Sequence, residues 1–422
     1  MKKFLLVILI MFIGFTGYVI YDSQNTEGIP ILNIEEEVIN IDDIYIYGTH
    51  LNIHGNLVND NDCDFVLYDG EFLDFDINKS DDSFNFSDKI NDGLFLDDIP
   101  RGEYYLFLRC EDDMVDGKAE GEKEEVTYSY YAINNMTSYK ETVYYTMSNF
   151  NNKIVINSED SYPTMIMKVF ENKDDSIYDI VIDPGHGGMD GGASKFNHNE
   201  AEITIQLANK LRKSLEDIGF KVKLTREDGQ LSNTEKLKEY GPNGRAVIPR
   251  EVNAKYLISL HMNSNNYSSV QGLEVYAAKN MNYDFAKNLV NNIVSLTGLS
   301  YSNNQINKVD NGIYSRNFTE DNIESSLNDY KKNDLIPYDI TTKSNYYYII
   351  RETGGIITGA YVDDRNDKII GNPYVLSNVG TEAYLLELGY ISNKNNLDNM
   401  VNNMDKYVLA ISNSIKNLYV TN

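Results

Sequence analysis

The chain has 422 residues, enough for two ordinary domains and an anchor, and its 42% hydrophobic content can fill a sizeable core. Sixty-four acidic residues against 37 basic ones give a formal net charge of -27, a surface that repels polyanions and excludes nucleic acid as a partner. The two cysteines, Cys63 and Cys110, lie far apart with no CxxC spacing, which excludes a structural metal site built on cysteine.

From the N-terminus, Lys2 and Lys3 precede an apolar run over residues 4–20. The basic pair stays inside by the positive-inside rule, and the run is near the lower limit for crossing a bilayer. It leads into Tyr18, Val19, Ile20, Tyr21 and Asp22, a poor cleavage site, so residues 1–21 read as an uncleaved signal anchor, a single transmembrane helix. The expected location is the cell membrane, single-pass, with the rest of the chain extracytoplasmic. No cysteine lies near the run, which excludes a lipoprotein anchor.

Over residues 28–172, short β-type runs (44–47, 64–68, 104–108, 125–131 and 142–145) alternate with turn signals such as Asp69 with Gly70 and Asp92 with Gly93. This spacing predicts an all-β, sandwich-like accessory domain. Cys63 and Cys110 fall inside it. They read either as a disulfide of an exported domain or as two buried thiols, since sequence does not show whether their Cα atoms are close. His50 and His54 would share one face of an extended segment, and read as a packed or solvated pair in preference to a metal pair.

The polar stretch 172–176 reads as a linker to a second domain over 177–422. There the periodicity changes to strands at 177–183, 222–225, 256–260, 273–277, 346–350 and 384–388. Between them run helices at 200–218, 283–296 and 397–418, the first with Ile203, Leu207, Leu211 and Leu215 on one face. Strands alternating with helices predict an α/β domain with a twisted, mainly parallel sheet flanked by helices. Residues 303–344 are polar and read as an irregular inserted loop.

Three places in this second domain set ligand-type side chains at strand or helix ends. His186 follows a strand in a glycine-rich turn, Glu200 opens a helix, and His261 ends another strand. Ligand sites of open α/β sheets lie at that carboxyl edge. Two imidazoles and one carboxylate, with water in the fourth position, make a catalytic zinc site. Such a site still needs a general base and acid. Glu387, a charged residue ending an apolar strand, is the natural choice, because a buried carboxylate without a partner is costly. His198 competes as a ligand from a polar stretch, and Glu202 competes with Glu200 but faces a different side of its helix.

The strings that carry these residues are IDPGHGG at 182–188, DGGA at 190–193, EAEI at 200–203, LTR at 224–226, LISLHMN at 257–263, YIIR at 348–351 and LELGYISN at 386–393. In combination and order they resemble the zinc-dependent N-acetylmuramoyl-L-alanine amidases of the type 3 class, which include sporulation and cell-separation enzymes. The resemblance covers roughly residue 178 to the C-terminus. It implies a single twisted sheet flanked by helices, zinc held by His186, Glu200 and His261, and Glu387 as the catalytic glutamate. The implied reaction cleaves the amide bond between N-acetylmuramic acid and L-alanine in peptidoglycan. The family usually has phenylalanine where Tyr390 stands. The span from His261 to Glu387 is longer than usual, with inserts at 303–344 and 354–380 that would shape or gate a substrate groove.

Arg351 follows a predicted strand near the site and reads either as a ligand for a stem-peptide carboxylate or as half of a surface ion pair. Peptidoglycan is also anionic, so the anchor, not long-range attraction, would concentrate the enzyme at the wall. The β-domain reads as a spacer, a wall-binding module or a dock for a protein regulator. Two other functions compete with the amidase reading: a zinc peptidase cutting within the stem peptide, and a non-catalytic wall-binding scaffold.

Overall fold

The computed structural model describes residues 39–57, 63–75, 78–80, 83–85, 89–111, 128–133, 142–157, 164–188, 190–227, 244–332, 340–360 and 380–419. The expected anchor at 1–21 lies outside these residues, and among them no helix is long and apolar enough to cross a membrane.

The first half is built from two sheets. One joins β1 (Ile39–Tyr47), β2 (His50–Leu57), β5 (Asn78–Ser80), β6 (Ser83–Asn85) and β7 (Leu94–Phe95). The other runs in the order β10 (Thr142–Tyr145), β11 (Asn152–Asn157), β12 (Ile166–Glu171), β8 (Gly102–Glu111), β3 (Cys63–Tyr68) and β4 (Phe72–Phe75), with β9 (Tyr128–Ala132) paired to the C-terminal half of β8 beyond β12. Ile46, Leu51 and Ile53 from the first sheet and Phe65, Leu67, Leu106 and Leu108 from the second share one buried cluster. This is the sandwich that the strand spacing predicts. Cys63 lies directly opposite Cys110 across the β3–β8 pair, and the two form a disulfide. His50 and His54 pack, as expected, against the rings of Phe95 and Tyr45.

Side chains of β1 alternate between two cores. Ile46 belongs to the sandwich cluster, whereas Tyr45 and Tyr47 join the core of the second half. The accessory sheet is thereby covered on both faces. Polar contacts seal the same boundary: the Ser148 amide donates to Asp179 Oδ1 at 2.7 Å, and Asn91 Nδ2 donates to Glu382 Oε1 at 2.9 Å.

The second half holds a seven-stranded sheet in the order β16 (Val222–Leu224), β13 (Ile180–Pro184), β17 (Tyr256–Asn263), β21 (Glu382–Tyr390), β18 (Glu274–Tyr276), β20 (Ile313–Tyr314), β19 (Lys308–Asp310). The pairings from β16 to β21 are parallel, as is β18 with β20, while β18–β21 and β19–β20 are antiparallel. Its central strands read as unbroken apolar runs because both faces are buried. The helix Glu200–Glu216 presents Ile203, Leu207, Leu211 and Leu215 to the core, and Asn199 caps it by accepting from the Glu202 amide. The helices Asp284–Thr297 and Lys394–Asn417 also cover the sheet, the last with a kink at Asn403.

Two expectations are corrected here. Residues 303–344 are not simply an irregular loop. They contribute β19 and β20, which turn through Asn311 and Gly312, and the helix Glu320–Lys332. That helix opens on a reciprocal cap, in which Thr319 Oγ1 accepts from the Asn322 amide and Asn322 Oδ1 accepts from the Thr319 amide. Part of the predicted strand at 346–350 is instead the start of a helix, Tyr348–Thr353. Its tyrosines and isoleucines favour a strand locally, but β21 is already paired on both sides, by β17 and β18. The segment buries Ile349 and Ile350 against the sheet as a helix. Much of the predicted insert at 354–380 lies outside the described residues.

Candidate metal centre

β13 delivers its chain to the carboxyl edge of the sheet and breaks there into a tight turn. His186, Gly187 and Gly188 all adopt positive φ, and a histidine at φ 61° is held in a costly region by its surroundings. Those surroundings are specific. Arg226 is buried and donates from Nε to the Pro184 carbonyl at 2.9 Å and from Nη2 to the Gly185 carbonyl at 3.1 Å. Thr204 Oγ1 donates to Gly185 O at 2.8 Å, and Arg245 Nη2 donates to His186 O at 3.0 Å. Asp183 is buried beneath the turn and accepts from Ser259 Oγ at 2.6 Å and from Thr225 Oγ1. Burial works against its charge, yet Arg245 and these hydroxyls keep its carboxyl below the usual range.

His186, Glu200 and His261 converge, with one ligand atom from each lying within 4.8 Å of the others. Glu200 Oε2 is 3.1 Å from His186 Nε2, and its Oε1 is 3.0 Å from His261 Nδ1. A tetrahedral ion with bonds of about 2.0–2.1 Å would place its ligand atoms roughly 3.3 Å apart, so the spacing fits. The surrounding backbone leaves no spare room. A Cβ on Gly185 would lie 2.4 Å from His261 Cε1, and one on Gly192 would lie 2.7 Å from His186 Cδ2. The far nitrogen of His186 is engaged, with Nδ1 2.8 Å from Asp190 Oδ2, which leaves Nε2 facing Glu200. A carboxylate behind a ligating imidazole is the usual support of a metal site.

The electrostatics agree with a site built for a cation. Burial disfavours charge on both groups, but Glu200 and Asp190 push His186 up to about 9, and the two histidines hold Glu200 well below the carboxylate range. The Glu200 side chain is 4% exposed, whereas those of His186 and His261 are 26% and 16% exposed, so the cluster opens to solvent on the imidazole side.

Glu387 sits beside His261, its register partner on β21. The residue is half-buried, but Oε2 is itself buried and has no hydrogen-bond partner among the described residues. Burial, then the negative charges of Glu200 and Glu274, push its carboxyl well above the ordinary value. Such an orphaned oxygen next to a His–Glu–His cluster fits a group that handles protons.

The structure does not bring the remaining candidates into this cluster. His198 is exposed on β15 (His198–Asn199), which pairs with β14 (Ser194–Lys195) in a short hairpin, and Glu202 is exposed on its helix. Arg351 does not follow a strand but lies within the helix Tyr348–Thr353, 4% exposed. Its Nε donates to Glu352 Oε1 at 3.0 Å, and Nη1 donates to the carbonyls of Asn345 and Tyr346 at 2.7 and 2.9 Å. It is therefore not a surface ion pair, and those donors tie down the turn before its own helix. Asp190, Arg226 and Arg245 support the site but carry no role in the sequence reading. Glu274 likewise carries no role there, although the argument that singles out Glu387, a charge in an apolar strand, applies equally to it.

Residues 180–417 match the family model described as N-acetylmuramoyl-L-alanine amidase. A probable cell wall amidase, LytH of Staphylococcus aureus, is 33% identical over 100 residues, which are 23% of this chain and 30% of LytH, so the match spans about a third of that relative's length. Among solved structures, the N-acetylmuramoyl-L-alanine amidase AmiC2 of Nostoc punctiforme has 20% identity and a TM-score of 0.37, covering 58% of this chain and 97% of its own. The catalytic domain of CwlV, from Bacillus (Paenibacillus) polymyxa var. colistinus, has 20% identity and a TM-score of 0.36, covering 58% of this chain and 100% of its own.

Proposed function

Because the chain belongs to the N-acetylmuramoyl-L-alanine amidase family, we propose that it hydrolyses the amide bond between N-acetylmuramic acid and L-alanine in peptidoglycan, with zinc held by His186, Glu200 and His261. The observation that carries this reading is the buried Glu387 oxygen without a partner among the described residues, beside the three-ligand cluster. A zinc ion bound there supplies a water whose pKa is lowered to about 7 and an electrophile for the scissile carbonyl. Glu387 takes the proton of the attacking water and passes it to the leaving L-alanine nitrogen. Asp190 holds the His186 ring in the orientation that presents Nε2, and Arg226, Thr204 and Arg245 hold the turn beneath it. Arg351 is left out of the substrate contacts, because its donors brace its own turn.

The proposed location is the extracytoplasmic face of the membrane, tethered by residues 1–21. The apolar run after Lys2 and Lys3 supports this, as does the Cys63–Cys110 disulfide, a bond that persists in oxidising compartments. The sandwich then serves as a spacer or as a dock for a protein regulator.

The test is mass spectrometry of purified peptidoglycan digested by residues 22–422, with and without a zinc chelator. Chelator-sensitive release of intact stem peptides that begin with L-alanine is the expected result. Shortened peptides left on muramic acid would make the protein a peptidase instead. Binding to the wall with no release would make it a scaffold.

A further inference from the structure

Glu274 is buried completely in β18, and its side chain is surrounded by donors. Asn263 Nδ2 and the Tyr276 hydroxyl donate to Oε2 at 3.0 and 2.8 Å. Ser302 Oγ and Asn304 Nδ2 donate to Oε1 at 2.7 and 3.3 Å, and the Tyr390 hydroxyl donates to the same oxygen. Only a carboxylate, which accepts at both oxygens and donates nothing, satisfies all five. The donors come from four segments: the end of β17, β18 itself, the loop before β19 and the end of β21.

The register gives this carboxylate a place in the site. Glu274 lies opposite Glu387 on β21, and Glu387 lies opposite His261 on β17. Residues in register on neighbouring strands point to one face of the sheet. His261, Glu387 and Glu274 therefore form a row across three strands. The two glutamates of that row differ in kind. Glu274 is saturated, whereas Glu387 keeps an oxygen without a partner among the described residues. Asn263, two residues beyond His261, and Tyr390, three beyond Glu387, are both tied to Glu274.

We propose that Glu274 is a positioning residue for the metal centre, gathering the strand ends that carry His261 and Glu387 and setting the spacing between them. This rests on the proposed zinc site, and it adds a residue that neither touches the ion nor moves a proton.

The test is zinc affinity, measured by competition with a chromophoric chelator on the full chain, beside the melting temperature of the metal-free protein. Glu274→Gln keeps the shape and removes an acceptor. With an amide facing some of the five donors, it is expected to lower the metal-free melting temperature by several degrees and to bind zinc about 10-fold more weakly. On peptidoglycan, kcat should fall and KM should hold. Tyr390→Phe removes one donor of the five and should weaken zinc about two- to threefold. If Tyr390 acts through Glu274, the double variant is no weaker than Glu274→Gln alone. Unchanged zinc affinity in Glu274→Gln overturns the proposal. So does a fall in metal-free melting temperature with unchanged zinc affinity in Tyr390→Phe, which would make the cluster purely structural. A wild type that releases nothing from peptidoglycan would defeat the proposed activity, and the zinc titration would still decide the role of Glu274.

Discussion

Glu387 and Gly185 show how much a single position carries at this site. Glu387 combines a buried oxygen that finds no donor among the described residues with a carboxyl that burial and two neighbouring acids drive upward. Replacing it by glutamine should leave the His–Glu–His cluster able to bind zinc while stem-peptide release drops by at least about 100-fold. Metal content and product yield on the same preparation decide this, and near-normal release would remove Glu387 from the chemistry. Gly185 acts by what it lacks. A methyl group there would meet the His261 ring at 2.4 Å, and the ring would have to move. Gly185→Ala should therefore weaken zinc binding by about 10-fold or more without unfolding the sheet, read from a chelator titration and a far-UV spectrum.

Among the elements, the β3–β8 strand pair and the helix after Asn345 teach opposite lessons. The cysteines are legible in the sequence, yet their pairing depends on a register that places Cys63 directly opposite Cys110. With a sequence separation of 47, loss of the cross-link in a Cys63→Ala, Cys110→Ala variant should cost about 2–4 kcal/mol. Calorimetry should show a lowered transition for the sandwich, while zinc binding in the second half persists. An unchanged transition would mean that the bond adds nothing to the fold. The helix Tyr348–Thr353 shows the limit of local propensity, because its aromatic and β-branched residues would suit a strand if a strand position were open beside β21. The turn through Asn311 and Gly312, by contrast, carries its hairpin signal within two adjacent residues of the sequence.

At the scale of the whole molecule, the two halves meet through buried charge. Asp97 and Lys255 are 3% and 4% exposed, and burial pushes the carboxyl up to about 7 and the amine down to about 8. Glu382 begins the strand that ends near Glu387. It accepts from Asn91 of the sandwich and from the Tyr384 hydroxyl, and burial raises it to about 7. Its folded-state value thus lies above its ordinary value of 4.5. Stability from the protonated form is complete below about 4.5, declines as pH rises from there to about 7, and is lost above that. The cost of ionising it is about 3 kcal/mol at pH 8. Glu382→Gln should leave the melting temperature near that of wild type at pH 5 and raise it by a few degrees at pH 8. A difference between the variants that does not change with pH would mean that Glu382 is ionised in the folded protein throughout.

Much of this protein could be read without coordinates. The change from period-two runs to alternating strands and helices separates the two halves, and the strings around His186, Glu200, His261 and Glu387 mark the edge where chemistry is expected. These features are local, since apolar periodicity and turn residues act within a few positions of one another. What tertiary structure alone decided is long-range. It put Glu274 in a row with Glu387 and His261, turned Arg351 inward onto its own backbone, and pressed Tyr45 and Tyr47 into the core of the other half. Each depends on which strands become neighbours and in what register. A one-residue shift reverses the face on which a side chain lies, and nothing in the nearby sequence records that choice.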